Sequence, residues 1–262
     1  IGLDHLDWLP KNEKTIEKIV YEKTTSLLCS KIIITKQANK ETLNIIKKNI
    51  LSNASKKIVF NEQFTCSESK NEFFFYEDEI GKLKLPKPNL TGEFQIENVA
   101  TAIATLRSLK IEIKDQHIKN GITKIKSVAR LQEIKKGKIK DLCKNNKIFV
   151  DGSHNPLGAK VLSKYLESLN CNKHIILGMM NNKDHNSYIN CFKNISSLTA
   201  IDIPNQPNAI KGKMLKKKLS NFFNINYKES IQDAIRSISV SNNDIIIITG
   251  SLYLAGEVLN LN

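Results

Sequence analysis

Residues 147–158 read KIFVDGSHNPLG, and this stretch decides the fold. Ile148, Phe149 and Val150 make a short apolar run, Asp151 and Gly152 interrupt it, and Asn155-Pro156 opens a new element. Asn is a favoured helix N-cap and Pro a favoured first helical residue, so the spacing predicts strand, tight turn, helix. A helix N-terminus presents unpaired N–H groups that favour anions, and Gly152 would let backbone approach a ligand. Asp151, at the strand end, could accept a ribose hydroxyl or orient a metal-bound water. On residue chemistry alone the loop reads equally well as a capped turn carrying a surface His154.

Downstream the pattern repeats. Strands are predicted at Lys147–Val150, His174–Leu177, Leu198–Ile203, Ile225–Tyr227 and Asp244–Thr249. Helices are predicted between and after them at Pro156–Leu169, Asp184–Cys191, Lys211–Leu219, Ser230–Ile238 and Ser251–Leu259. Alternating helices with continuously apolar strands indicate a doubly wound, mostly parallel sheet, whose ligands bind beyond the carboxyl ends of the strands. Upstream, helices are expected at Lys14–Leu28, Lys40–Ile50, Gln95–Leu109 and Asp115–Lys124. Strands are expected at Lys31–Thr35 and Lys57–Phe60, with a hairpin over Asn71–Lys84. The domain boundary is placed within Ser127–Gln132, separating residues 1–128 from 129–262.

The chain has 262 residues, 40% hydrophobic and 25% charged, which suits two soluble domains with a core each. Its longest apolar runs, such as Ile245–Ile248, are far shorter than the roughly 18–20 residues of a membrane span. No basic-then-apolar signal opens the sequence. Five cysteines without a CxxC pair argue against a disulfide framework or structural zinc site and fit a reducing cytoplasm. The net charge of +14 invites nucleic acid. However, only Arg107, Arg130 and Arg236 are arginines, and the lysines are scattered among Asn and Ile, so solvated faces are expected.

Single residues add candidates. Lys23 falls on the helical stripe of Ile16, Val20 and Leu27, where an ammonium is unwelcome unless it snorkels or faces a polar site. His5, flanked by Asp4 and Asp7, could ligate a metal. Asn98 stands near the start of a helix, and Arg130 in the inter-domain segment could hold phosphate with its planar fork.

Seven segments together resemble the folylpolyglutamate synthase/dihydrofolate synthase family, in order and over essentially the whole chain. They are IGLDHLDWL (1–9), TIEKIVYEK (15–23), LPKPNLTGEFQIENVATAIATLRSL (85–109), SVARLQEI (127–134), FVDGSHNPLGAKVL (149–162), LGMMNNKD (177–184) and ITGSLYLAGEVL (248–259). The stretch between Arg130 and Asp151 looks like an insertion.

The resemblance implies an α/β chain. Residues 1–128 would be the later part of a P-loop-type, Mur-ligase-like ATPase domain, and 129–262 a Rossmann-like C-terminal domain with a mostly parallel sheet. It implies a cytoplasmic ATP-dependent ligase that adds L-glutamate to dihydropteroate or reduced folates through an acyl phosphate, acting as a monomer without nucleic acid or membrane. A Mur-type cell-wall ligase and a non-catalytic nucleotide- or folate-binding remnant are the rival readings.

In the family the His of the DH motif ligates Mg²⁺, which falls on His5. The lysine of the following EK pair is carbamylated, which falls on Lys23, although the family's EKAGI is here EKTTS. ATP contacts fall on Asn98, Arg130 and Asp151; Lys183 joins them in a family-like motif, and His154 lies with the catalytic loop. No GxxxxGK[ST] loop occurs in the 262 residues, and the sequence begins with Ile, so the chain is expected to lack an upstream segment and to be inactive by itself.

Overall fold

The computed structural model describes residues 1, 13, 15–25, 27, 31–50, 56–69, 72–109 and 111–262. The chain divides into two compact units, Ile1–Lys126 and Ser127–Asn262.

In the first unit, helix α1 (Ile16–Thr24) opens on Thr15, whose hydroxyl accepts the Lys18 N–H at 3.2 Å. It closes at Thr24 rather than running on to Leu28. Thr24 and Thr25 donate their hydroxyls to the Val20 and Tyr21 carbonyls at 2.7 and 2.6 Å, satisfying acceptors that the helix end leaves open. Strand β1 (Lys31–Ile34), helix α2 (Lys40–Ile50) and strand β2 (Lys56–Val59) form a parallel pair with a helical crossover. Val20, Ile32, Ile34, Ile46, Ile50 and Val59 make its core.

The expected hairpin gains a third strand. β3 (Phe64–Glu68), β4 (Phe73–Asp78) and β5 (Gly81–Pro86) form an antiparallel sheet in that order. Alternation along FFFYED turns Phe74 and Tyr76 inward. They share a core with Val99 and Ile103 of α3 (Phe94–Ser108) and Ile118 of α4 (Asp115–Ile122). Arg107 of α3 pairs with Asp78 at 2.7 Å, and the Tyr76 hydroxyl donates to the other Asp78 oxygen at 2.8 Å, which pins the helix to the β4–β5 turn.

The second unit is a six-stranded sheet in the order β10-β9-β8-β11-β7-β6. Its elements run β6 (Gln132–Glu133), α5 (Lys138–Asp141), β7 (Lys147–Val150), α6 (Pro156–Glu167), β8 (Lys173–Leu177), α7 (His185–Ile189), β9 (Ser197–Ile201), α8 (Gly212–Leu219), β10 (Ile225–Lys228), α9 (Ile231–Ser237), β11 (Ile245–Thr249) and α10 (Leu252–Leu261). All pairings are parallel except β6 with β7. IIIIT and KHIIL are buried throughout, as central strands covered on both faces must be.

On one face Ile246 and Ile248 pack with Ile139, Ala234, Leu254 and Val258 from α5, α9 and α10. The stretch from Arg130 to Asp151, which looked like an insertion, is integral. It supplies the antiparallel edge strand, and Leu131, Ile134 and Ile139 are buried. The chain runs outward from β7 to β8, β9 and β10 and returns as β11 between β7 and β8. The carboxyl ends of β7, β11 and β8 therefore lie side by side, where doubly wound sheets hold their ligands.

Candidate functional site

Three loops leave those strand ends, and a buried hydroxyl cluster joins two of them. Ser153 Oγ, Tyr188 OH and Thr249 Oγ1 lie 2.9–3.1 Å from one another, and all three residues are buried. Burial, the larger effect, raises the Tyr188 pKa, so the phenol stays protonated and serves as a fixed donor. The Gly250 N–H donates to the Ser153 carbonyl at 3.0 Å and the Gly178 N–H to the Thr249 carbonyl at 3.2 Å, completing the link from β7 through β11 to β8. Gly250 adopts φ +107°, and a Cβ there would lie 2.6 Å from the Gly178 carbonyl oxygen, so both the conformation and the space require glycine.

The Asp151 carboxylate is turned toward the chain's own backbone. Its Oδ1 accepts the Ser153 N–H and its Oδ2 the Leu131 N–H, each at 2.9 Å. The Gly152 N–H donates to the Ala129 carbonyl at 2.8 Å, and the Ala129 N–H to Gln132 Oε1 at 3.0 Å. Gly152 does not open space for a ligand, because the Leu252 side chain occupies the place where its Cβ would stand. Ala129 and Leu131 both have left-handed backbone, φ 55° and 47°, which costs a non-glycine residue about 1–2 kcal/mol. Their side chains are buried while Arg130 between them is exposed. Among the described residues nothing pairs with its guanidinium.

Beside this arch, Asn155 caps α6 by accepting the Gly158 N–H at 2.8 Å, and Pro156 takes the first helical position, as the sequence indicates. His154 is half-buried, with Nδ1 3.0 Å from the Gly152 carbonyl oxygen. Lys183 sits in the loop after β8 and lines a cavity of about 560 Å³ with Met180, Asn181, Asn208 and Tyr253. That loop is tied down by His185, which is fully buried. Its Nε2 donates to the Met180 carbonyl at 2.9 Å and its Nδ1 accepts from Lys218 at 2.8 Å. Burial lowers the His185 pKa, which keeps the imidazole neutral and able to make both bonds.

The remaining candidates belong to the first unit. Lys23 is exposed in the last turn of α1, while Ile19 and Val20 are buried, so its ammonium is not held within the apolar stripe. Asn98 is exposed on α3, with its amide donating to Gln95 Oε1 at 3.0 Å. His5 lies outside the described residues. Among the described residues no three His, Cys, Asp or Glu side chains gather to hold a metal ion.

Residues 130–252 match the family model described as "Mur ligase, glutamate ligase domain". The chain is 25% identical to the folylpolyglutamate synthase of Lacticaseibacillus casei, over 98% of this chain and 59% of that protein. Along almost its whole length the chain is similar to folylpolyglutamate synthases and bifunctional dihydrofolate synthase/folylpolyglutamate synthases. It spans about 60% of the length of the curated relatives it matches.

The fold agrees with that of solved family members. Escherichia coli FolC in complex with DHPP and ADP superposes with a TM-score of 0.80 at 22% identity, covering 100% of this chain and 59% of that one. The Yersinia pestis bifunctional folylpolyglutamate synthase/dihydrofolate synthase, solved with AMPPNP and Mn ion, has a TM-score of 0.80 at 19% identity, covering 99% and 59%.

In the second unit the structure brings Arg130, Asp151 and His154 together at one end of the sheet. It places Lys183 on the loop beyond β8, and Lys23 and Asn98 on separate helices. Sequence reasoning missed Tyr188, Thr249 and Leu131. A tyrosine in a helical stretch and a threonine closing an isoleucine run carry no signal of the cluster they form. Leu131 takes part only through its backbone N–H.

Proposed function

We propose that the protein is an ATP-dependent ligase that joins L-glutamate to dihydropteroate, to a reduced folate, or to both, by way of an acyl phosphate, in the cytoplasm and as a monomer. The observation that carries this reading is the Arg130 arch. It offers an exposed guanidinium on a segment bonded to the carboxyl end of β7, in a chain similar to folylpolyglutamate synthases.

A guanidinium can bridge two phosphate oxygens with parallel donors, and charge-assisted bonds of this kind are worth about 1.5–3 kcal/mol each. On this reading residues 1–128 are part of the ATP-binding domain, with Asn98 on the base side of the nucleotide. Arg130 takes the phosphates, with Asp151 beneath it. The cavity beside Lys183 is polar on its asparagine side and large enough for an amino acid. Lys183 there would draw in the carboxylates of glutamate, and His154 would stand at the reacting carboxylate.

His5 and a carbamylated Lys23 form the magnesium end of the proposal, supported by the motifs that carry them. Mg²⁺ keeps most of its waters and binds phosphate oxygens with few protein ligands.

The test is ligation by the full-length parent protein, since the 262 residues hold no GxxxxGK[ST] loop and are expected to be inactive by themselves. ATP, Mg²⁺, labelled L-glutamate and either dihydropteroate or tetrahydrofolate are supplied, and the amide product is separated and counted. Glutamate-dependent product with release of ADP is expected. Failure with both acceptors, at saturating ATP and Mg²⁺, would remove the proposal.

A further inference from the structure

We infer that His185, braced by Lys218, is a positioning residue that sets the 180–183 loop for the amino-acid substrate. This rests on the reading of the cavity beside Lys183 as the place of glutamate.

The inference comes from how the loop after β8 is held. At its start Met179 is buried, and the Ile210 N–H donates to the Met179 carbonyl at 3.1 Å. The Asn181 N–H donates to the Asn208 carbonyl at 2.9 Å, which zips this side to the segment before α8. The far end closes on the Met180 carbonyl. That oxygen accepts the Lys183 N–H at 3.3 Å and the His185 Nε2–H at the shorter 2.9 Å. His185 is fully buried while Asn181 and Asn182 are exposed, so the ring is the inner support of an outward-facing turn.

The partners of the ring also fix its tautomer. A carbonyl only accepts and an ammonium only donates, so Nε2 carries the hydrogen and Nδ1 accepts from Lys218 at 2.8 Å. Among the described residues, the charged groups acting on the imidazole are Lys218 of α8 and Asp184 beside it in the loop; α6, which also packs on α7, adds none. Protonation would turn Nδ1 into a donor and set two cations against each other. That expels Lys218 or the ring, and either way the brace is lost. Simple electrostatics predicts the opposite sign. A cation gained beside the cavity would strengthen its hold on a dicarboxylate, whereas a lost brace weakens it.

Glutamate kinetics of the full-length parent at saturating ATP and Mg²⁺, joined to amide exchange at Lys183, test this. His185→Leu keeps apolar bulk and removes both bonds. Its KM for glutamate should rise about tenfold, with KM for ATP unmoved and Lys183 exchange faster. A variant that merely lost folded protein would lower kcat and leave both KM values alone. His185→Gln, whose amide can make both bonds, should restore the native KM. On acidification from about pH 7.5 to about 5.5, across the ordinary histidine value, the wild-type KM for glutamate should climb more steeply than that of His185→Gln. The amine of glutamate titrates alike in both and cancels. Lys218→Met is the second variant, on an exposed side chain whose loss the fold tolerates. Removing that cation eases protonation of His185, so the climb should begin at a higher pH than in wild type.

A native KM for glutamate in His185→Leu would overturn the inference, as would a loss confined to kcat. Parallel pH profiles for wild type and His185→Gln, or an onset unmoved in Lys218→Met, would do the same. A native glutamate KM in Lys183→Ala would instead remove the reading of the cavity, on which the inference stands.

Discussion

Tyr188 OH and Thr249 Oγ1 lie 2.9 Å apart in the buried interior of the second unit, joining a helix to the end of a central strand. The same phenol reaches both the hydroxyl and the carbonyl of Ser153, so it couples the strand ends around which the site is built. Tyr188→Phe leaves the Ser153–Thr249 contact intact at 3.1 Å, so its expected cost is about 1 kcal/mol. Tyr188→Ala also empties a fully buried ring site and should cost about 3–5 kcal/mol. Chemical denaturation midpoints of the two variants check this, and equal losses would show that the hydroxyl network is not an independent contribution.

Arg130→Lys keeps the charge and removes the planar fork. The loss expected for MgADP is about tenfold or more, with the unfolding transition unmoved because the side chain is exposed. Calorimetric titration and thermal melting of the same sample read the two together. Native affinity in the lysine variant would place the phosphates elsewhere.

Lys23→Ala separates stability from turnover. An exposed lysine should change stability by no more than about 0.5 kcal/mol. In the full-length parent, if its carbamate organises the metal site, ligation should fall about 10–100-fold, with partial recovery when bicarbonate or a short carboxylate is added. Wild-type turnover at saturating Mg²⁺ and ATP would exclude the carbamate role.

His185 gives a pH signature of defined sign. Its folded pKa is lowered, chiefly by burial, so the unfolded chain takes up a proton in a range where the native imidazole stays neutral. The contribution is fully present above the ordinary histidine range. It is lost progressively as pH falls from there toward the lowered folded value. Melting temperature should therefore decline as pH is brought below about 6.5, the unperturbed histidine value. In His185→Gln, whose amide can still donate to Met180 and accept from Lys218, that decline should flatten. Parallel slopes for the two proteins would assign the titration to another group.

Much of this architecture is legible in the sequence because its central strands are short, largely apolar runs rich in isoleucine. IIIIT and KIFV admit few other readings, and Asn155-Pro156 marks its helix start through side chains that act locally. What escaped reading depends on distant partners. In β3, FTCSE buries only Phe64 and is a strand because β4 lies beside it, and β6 is two residues paired to β7. Lys23 falls on an apolar stripe by periodicity, yet the helix carries it to the exposed side. Asp151 was visible as a strand-end carboxylate, whereas the amide it holds lies twenty residues earlier in a backbone whose handedness no side chain announces.

The second unit should fold by itself. Residues Ser127–Asn262 include all six strands of one sheet together with helices α5 to α10, and domains of this length sustain their own cores. The isoleucines of β11 are buried at the centre, so Ile247→Ala should cost the isolated unit about 2–5 kcal/mol. One sheet edge is closed by the short antiparallel β6 and the other by the four-residue β10, both too short to template pairing with another chain. Expressed as 127–262, the unit should remain soluble and unfold in one cooperative transition, which Ile247→Ala shifts to lower temperature. A broad, non-cooperative melt, or aggregation at low concentration, would mean that this core depends on residues before 127.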